Sequence, residues 1–170
     1  MSAPAVAPVD DTAELYLIGA ALWTRRLDLL PVLGVVLPAD FADPRARVAW
    51  ELITHVAVEQ GATPDPQLVV NAARHVGRSG TDHALGRFHE YVFAAYEVPN
   101  RQGLDYYAHA VREASFRRNA ARLGTELQQH ATSASMDLLV DFLRDRTSDL
   151  ADQYQRVTWL RAPRREEPPQ

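Results

Sequence analysis

"GLDYYAHAVREASFRRNAARLGTELQQHA", residues Gly103 to Ala131, is the stretch that decides the fold. It contains no proline, and Leu104, Tyr107, Ala108, Val111, Leu123 and Leu127 recur at helical spacing, which predicts one long helix with a narrow apolar stripe. A helix of that length cannot be covered by one small globule. Its stripe needs a partner helix, from this chain or from another.

The residues that follow supply the first candidate. After a short polar loop, Thr132 to Ser135, Ser135 is placed to cap a last helix. Its apolar positions are Met136, Leu139, Val140, Leu143, Leu150, Tyr154 and Val157, an alternating three-and-four spacing like a coiled-coil seam. The short loop predicts antiparallel neighbours, so the chain is expected to end in a helical hairpin over residues 100–158, with Asn100 as the cap of the long helix. Each buried leucine contributes about 1.5 to 3 kcal/mol. Two stripes cover each other only in part, and the remainder must meet the rest of the chain or a second copy.

Upstream, residues 11–99 read as a set of shorter helices. Asp11 and Glu14 have capping spacing, and Leu15, Ile18 and Leu22 carry a first helix to about Trp23. Pro31 is expected in the first turn of a short second helix, "PVLGVV", ended by Leu37 and Pro38. "DPRARVAWELITHVAVEQG" places Asp43 as cap and Pro44 at the first helical position. Val48, Leu52, Ile53 and Val56 form its buried stripe, and Gly61 stops it. "TPDPQLVVNAARHVG" repeats that pattern with Asp65, Pro66 and Gly77. A fifth helix is expected from Asp82 to about Tyr96, closed by Pro99. No strand or Asn-Gly turn signal competes, so the expected class is all-α, a small helical globule followed by a long antiparallel hairpin. Residues 1–10 and 159–170 read as disordered ends, the latter a tail or the start of a linker.

Composition narrows the chemistry. The 170 residues are 46% hydrophobic and 24% charged, enough for one domain with a core. Cysteine is absent, which removes disulfides, thiolate metal sites and cysteine nucleophiles. All 18 basic residues are arginine. Without lysine there is no Walker A phosphate loop and no Schiff-base chemistry. Net charge is -4, so no global basic field draws nucleic acid. The N-terminus has no signal-peptide pattern and no run is long enough to span a bilayer, which gives a cytoplasmic expectation with no membrane partner.

Three stretches in order, "TAELYLIGAALW", "LLPVLGVVLPADFADPRARVAWELI" and "VPNRQGLDYYAHAVREASFRRNAARLGTEL", resemble the N-terminal domain of DnaB-type replicative helicases. Ala13, Glu14, Leu17, Ile18, Gly19 and Leu22 fill the family's first-helix pattern. Asp40, Phe41, Arg45 and Arg47 match its "DF" segment, and Tyr106, Tyr107, Ala110, Val111, Arg112 and Glu113 match the start of its hairpin. The resemblance runs from about residue 11 to 157. The family's Gly-Gly then Tyr-Leu entry to the fifth helix is replaced here by "SGTDHALGRFHEYV", and no ATPase motor lies within the 170 residues.

What the resemblance implies is a non-catalytic collar domain without cofactor or metal. Such a domain self-associates through its hairpin as a dimer or trimer of dimers, and docks primase, a helicase loader or a full-length replicative helicase. The expected interface is Leu104, Tyr107, Val111, Phe116, Leu123, Leu127, Met136, Leu139, Leu143 and Leu150. A stand-alone regulator or decoy of a full-length helicase would use the same surfaces.

Rival chemistries are weaker. Glu51 and His55, Asp105 and His109, and Glu126 and His130 are each four apart, whereas bundle metal sites use Glu-x-x-His from paired helices; these read as surface pairs. His75, His83 and His89 read as solvated or satisfied. Arg112, Arg117, Arg118 and Arg122, interleaved with Phe116, are the densest basic run, and a helical DNA-binding regulator would aim them at phosphates. The stronger expectation is a solvated helix face with Phe116 tucked against the globule and direct nucleic-acid contact weak or absent. Trp50, Tyr106, Tyr107 and Trp159 read as packing anchors.

Overall fold

The structure, a computed structural model, describes residues 11–77, 82–99 and 102–159. The expected N-terminal tail, residues 160–170 of the expected C-terminal tail and Asn100 lie outside the described residues, while Trp159, expected to open that tail, closes the last helix instead. Seven α-helices form in chain order, with no strand among the described residues: α1 Asp11–Trp23, α2 Arg26–Leu33, α3 Pro44–Thr54, α4 Pro66–His75, α5 Asp82–Glu97, α6 Leu104–Ser133 and α7 Met136–Trp159.

Local chemistry sets most boundaries. Asp43 accepts a hydrogen bond from the Arg45 backbone N–H at 2.8 Å, and Asp65 from that of Leu68 at 2.9 Å, with Pro44 and Pro66 in the first turns where no N–H is needed. α3 ends in a widened π-turn, His55–Glu59, before Gly61 reverses the chain at φ 67°. Two expectations are corrected. The second helix starts earlier, at Arg26, and Pro31 lies inside it. The carbonyl that this proline leaves without a donor belongs to Leu27, a 73% exposed residue on the solvent side, where water can take the bond. "VVLP" is not helical; Pro38 instead opens a 3-10 turn, Pro38–Asp40. At the long helix, Gly103 is the N-cap, in the left-handed region at φ 82°.

The core gathers α1, α3, α4 and α5 around Trp50, whose indole N–H donates to the Val36 carbonyl at 3.0 Å. α1 crosses α5 very closely at Gly19: a β-carbon there would stand 2.2 Å from the Ala95 carbonyl oxygen. Only glycine fits that crossing. The first turns of α6 join the same core, with Tyr107, Ala108 and Val111 buried and Tyr107 stacked on Tyr16 at 5.2 Å.

Beyond Ser115, α6 leaves the globule and pairs with α7. The thirty residues of α6 run about 45 Å. Phe116 meets Tyr154, Asn119 meets Gln153, Glu126 meets Arg146 and His130 meets Phe142, each step down α6 matched by a step back along α7. The hairpin is therefore antiparallel. Its loop is shorter than expected, because Thr132 and Ser133 stay helical and donate their hydroxyls to the Gln129 carbonyl at 2.8 and 2.9 Å.

Candidate functional site: the buried joint and the exposed hairpin

Two regions stand out, the joint where the hairpin leaves the globule and the hairpin surface beyond it. The joint is ionic. Asp40, at the end of the 3-10 turn, is 3% exposed and Arg112 on α6 is 0% exposed. The guanidinium Nη1 lies 2.6 Å from both carboxylate oxygens of Asp40. Asp40 also accepts from the Ser115 hydroxyl at 2.8 Å and from the Leu37 backbone N–H at 2.7 Å, which ties the 3-10 turn to the same carboxylate. Arg112 donates through Nη2 to the Gln153 carbonyl on α7 at 3.0 Å, and the Gln153 amide donates to Ser115 at 3.1 Å. One buried cation therefore touches the globule and both arms of the hairpin.

A second carboxylate repeats the arrangement beside it. Glu14 on α1, 2% exposed, accepts from the backbone N–H groups of Ala42 and Asp43 at 2.7 and 2.9 Å. Arg118 stands 3.7 Å from Glu14 and donates to the Asp40 carbonyl. Burying such charges is costly unless their hydrogen-bonding capacity is met, and here both carboxylates hold several donors each. The arrangement fixes where α6 leaves the globule.

This corrects the reading of the basic run as one solvated face. Arg112 is internal and Arg118 is held against the globule, while Arg117 pairs with Glu113 at 2.6 Å and Arg122 lies 3.7 Å from Glu126. The four guanidiniums are spread over different partners, an arrangement unlike a phosphate-binding row. Phe116 is not tucked against the globule; it faces Tyr154 of α7, ring centres 5.9 Å apart.

The expected interface residues divide into three groups. Tyr107 and Val111 are consumed by the core, at 7% and 1% exposure, and Leu104 packs partly against it, so these three anchor the hairpin base. Phe116, Leu123, Leu127, Leu139, Leu143 and Leu150 lie in the hairpin and are only half-buried. Met136, at 74% exposure, stands in solvent at the tip, together with Leu138 at 63% and Val140 at 43%. Leu138 falls outside the seam spacing, which is why the sequence pattern misses it. Ser115, Asn119 and Gln153 were missed as well; their signal was a polar residue at a position where the helical period calls for an apolar one.

The histidines take surface partners. His55 pairs with Glu59 at 2.8 Å, His109 lies 3.8 Å from Glu113, and His130 stacks on Phe142. His75 contacts the Asn71 carbonyl at 2.8 Å, His89 stacks on Phe93, and His83 is exposed. No group of three or more potential metal ligands gathers among the described residues. Trp50 is core and Tyr106 is 57% exposed, while the Trp159 side chain lies outside the described set. No helix among the described residues is long and apolar enough to cross a membrane.

An all-helical globule that projects a two-helix hairpin from a buried ionic joint is a recognisable architecture. The chain is similar to the crystal structure of the N-terminal domain of DnaB helicase from Mycobacterium tuberculosis, with 20% sequence identity and a TM-score of 0.66. The match covers 86% of this chain and 99% of that one, so the chain has the fold of a DnaB-helicase N-terminal domain. No protein-family model and no curated protein matches the sequence.

Proposed function

We propose that this protein is a non-catalytic assembly and docking module of the DNA replication machinery, acting as a collar domain of the replicative-helicase type. The observation that carries the reading is the apolar surface the hairpin leaves unused. Met136, Leu138, Val140 and Tyr154 are 43% to 74% exposed on one helix, and the seam leucines beneath them are half-buried. Exposed apolar surface of this kind, on an element held out by a rigid joint, marks a protein-protein contact. A second hairpin of the same kind would cover it, giving a dimer and, by repetition, a trimer of dimers. The remaining polar faces of globule and hairpin would then receive a primase, a loader or a full-length helicase.

Sedimentation velocity of the wild type and of a Met136→Glu/Val140→Glu variant tests the reading, since both positions are solvent-exposed and the substitutions leave the core intact. The wild type is expected to associate and the variant to sediment as a monomer. Identical sedimentation of the two would overturn the proposal. A pull-down of full-length helicase with the same pair separates docking from self-association.

A further inference from the structure

The hairpin tip lacks the residues that ordinarily lock a chain reversal. Only Ala134 and Ser135 separate α6 from α7, at the short end of the roughly 2 to 8 residues that join packed helices. No glycine or proline occurs from Thr125 to Trp159. Ala134 turns the chain with extended backbone, φ -86° and ψ 154°, where a glycine in the left-handed region is the common device. The bonds that finish each helix stay on their own side of the turn. The Ala134 N–H donates to the His130 carbonyl at 2.8 Å, and the Leu139 N–H to the Ser135 carbonyl at 3.0 Å. Opening the turn therefore leaves both helix ends satisfied.

α7 itself is held by α6, and packs on no other element to a comparable extent. Of its described residues only Gln153 and Val157 are buried, both in the last two turns. The distal contacts, Glu126 with Arg146 at 3.7 Å and His130 with Phe142 at 4.3 Å, run between the two helices. The α7 of a second copy would meet the same surface with the same charges and rings, a complementarity already displayed within one chain. The exposed apolar residues fall where such an exchange would use them. Met136, Leu138 and Val140, at 74%, 63% and 43% exposure, occupy the opening turns of α7, immediately after the reversal. In an exchanged pair the two tips meet, and these side chains cover one another.

We propose that copies of this chain exchange α7, each hairpin being completed by the last helix of the other copy. The inference rests on the reading that the hairpin drives self-association, and names the contact that does so. The buried joint is then shared, with Arg112 donating to the carbonyl of the partner's Gln153. Exchange keeps every contact between α6 and α7, so two quantities set its balance with the closed chain. Closure benefits from an effective concentration on the order of millimolar. Exchange relaxes the tight turn and buries the tips.

A thiol pair across the seam tests the exchange, because the chain has no cysteine of its own. A Glu126→Cys/Arg146→Cys variant, checked for folding by circular dichroism, is separated by size into single-chain and associated fractions. Each fraction is treated with a short bismaleimide and run under denaturing conditions. The associated fraction is expected to give covalent dimers, and the single-chain fraction monomers linked internally. Inserting Gly-Gly-Ser-Gly between Ala134 and Ser135 relieves the closed turn. It is expected to raise the dissociation constant at least about tenfold and to return the link to a single chain. An associated fraction that links only within chains would overturn the exchange and leave side-by-side hairpin pairing in place, as would an insertion that leaves the dissociation constant unchanged. A single-chain mass at every concentration for the unsubstituted protein would overturn self-association itself, and the exchange with it.

Discussion

Arg112→Met is the sharpest perturbation of the joint. Methionine keeps an unbranched apolar stem but removes the guanidinium, leaving Asp40 buried at 3% exposure with the Ser115 and Leu37 donors but without its cation. The Gln153 carbonyl loses its side-chain donor as well. Removing one partner of a buried ion pair costs about 3 to 5 kcal/mol. With a urea dependence of about 2 kcal/mol per molar, the unfolding midpoint should fall by about 2 M. Trp50, fully buried, gives a fluorescence reporter of the core. The double variant Asp40→Leu/Arg112→Met removes both charges, and its remaining cost is the unpaired Leu37 N–H and Ser115 hydroxyl, about 1 kcal/mol each. It should therefore be more stable than Arg112→Met alone. A single variant costing under about 1 kcal/mol, or single-variant costs that simply add in the double, would refute the description of Arg112 and Asp40 as one buried coupled pair.

Other consequences are equally direct. Gly19→Ala drives a methyl group into the Ala95 carbonyl, so despite a helix-propensity gain of ~1 kcal/mol the net loss should be about 2 kcal/mol and Tm should drop by about 6 °C in calorimetry; an unchanged Tm would contradict the close crossing. At Asp43, burial raises the carboxyl's pKa, but hydrogen bonds and charge from Arg45 outweigh it and hold the group below its ordinary value. Stability from a carboxylate lowered in this way is present above its unfolded pKa and is lost as pH falls through the folded one. Asp43→Asn, which keeps the cap, should flatten the acid limb of the stability curve between about pH 5 and about pH 2; an unaltered limb in a denaturant-pH series would remove Arg45 as the cause. Leu138→Ser, at a 63% exposed position, should leave the unfolding free energy within about 0.5 kcal/mol of wild type while weakening self-association, and an unchanged dissociation constant would take Leu138 out of the contact.

Local chemistry was readable and long-range chemistry was not. The caps at Asp43, Asp65 and Ser135 depend on neighbours two or three residues away, so a single chain displays them. The antiparallel hairpin followed from two apolar periods and a short loop. Pro31 was misplaced because an eight-residue helix can lose one solvent-side bond, a tolerance no proline rule encodes. The ionic joint was hidden for a different reason: Asp40 and Arg112 are 72 positions apart, and a buried arginine is spelled like an exposed one. A trace did exist. Arg112 and Ser115 follow Ala108 and Val111 by one helical turn, on the face that enters the core, and Glu14, Asp40 and Arg112 all belong to the stretches that resemble the helicase domain. Those residues join globule to hairpin, which gives the resemblance a physical basis in this chain. The interface reading was least complete at the hairpin base, where Tyr107 and Val111 carry the same apolar signal whether they face a partner or the protein's own core.

Light scattering of the purified 19.0 kDa chain across a concentration series tests the central claim, that the hairpin's exposed apolar surface drives assembly. The account predicts a mass at a multiple of the chain that falls toward the single-chain value on dilution, and falls at higher concentration still for Met136→Glu/Val140→Glu. A single-chain mass at every concentration would contradict it.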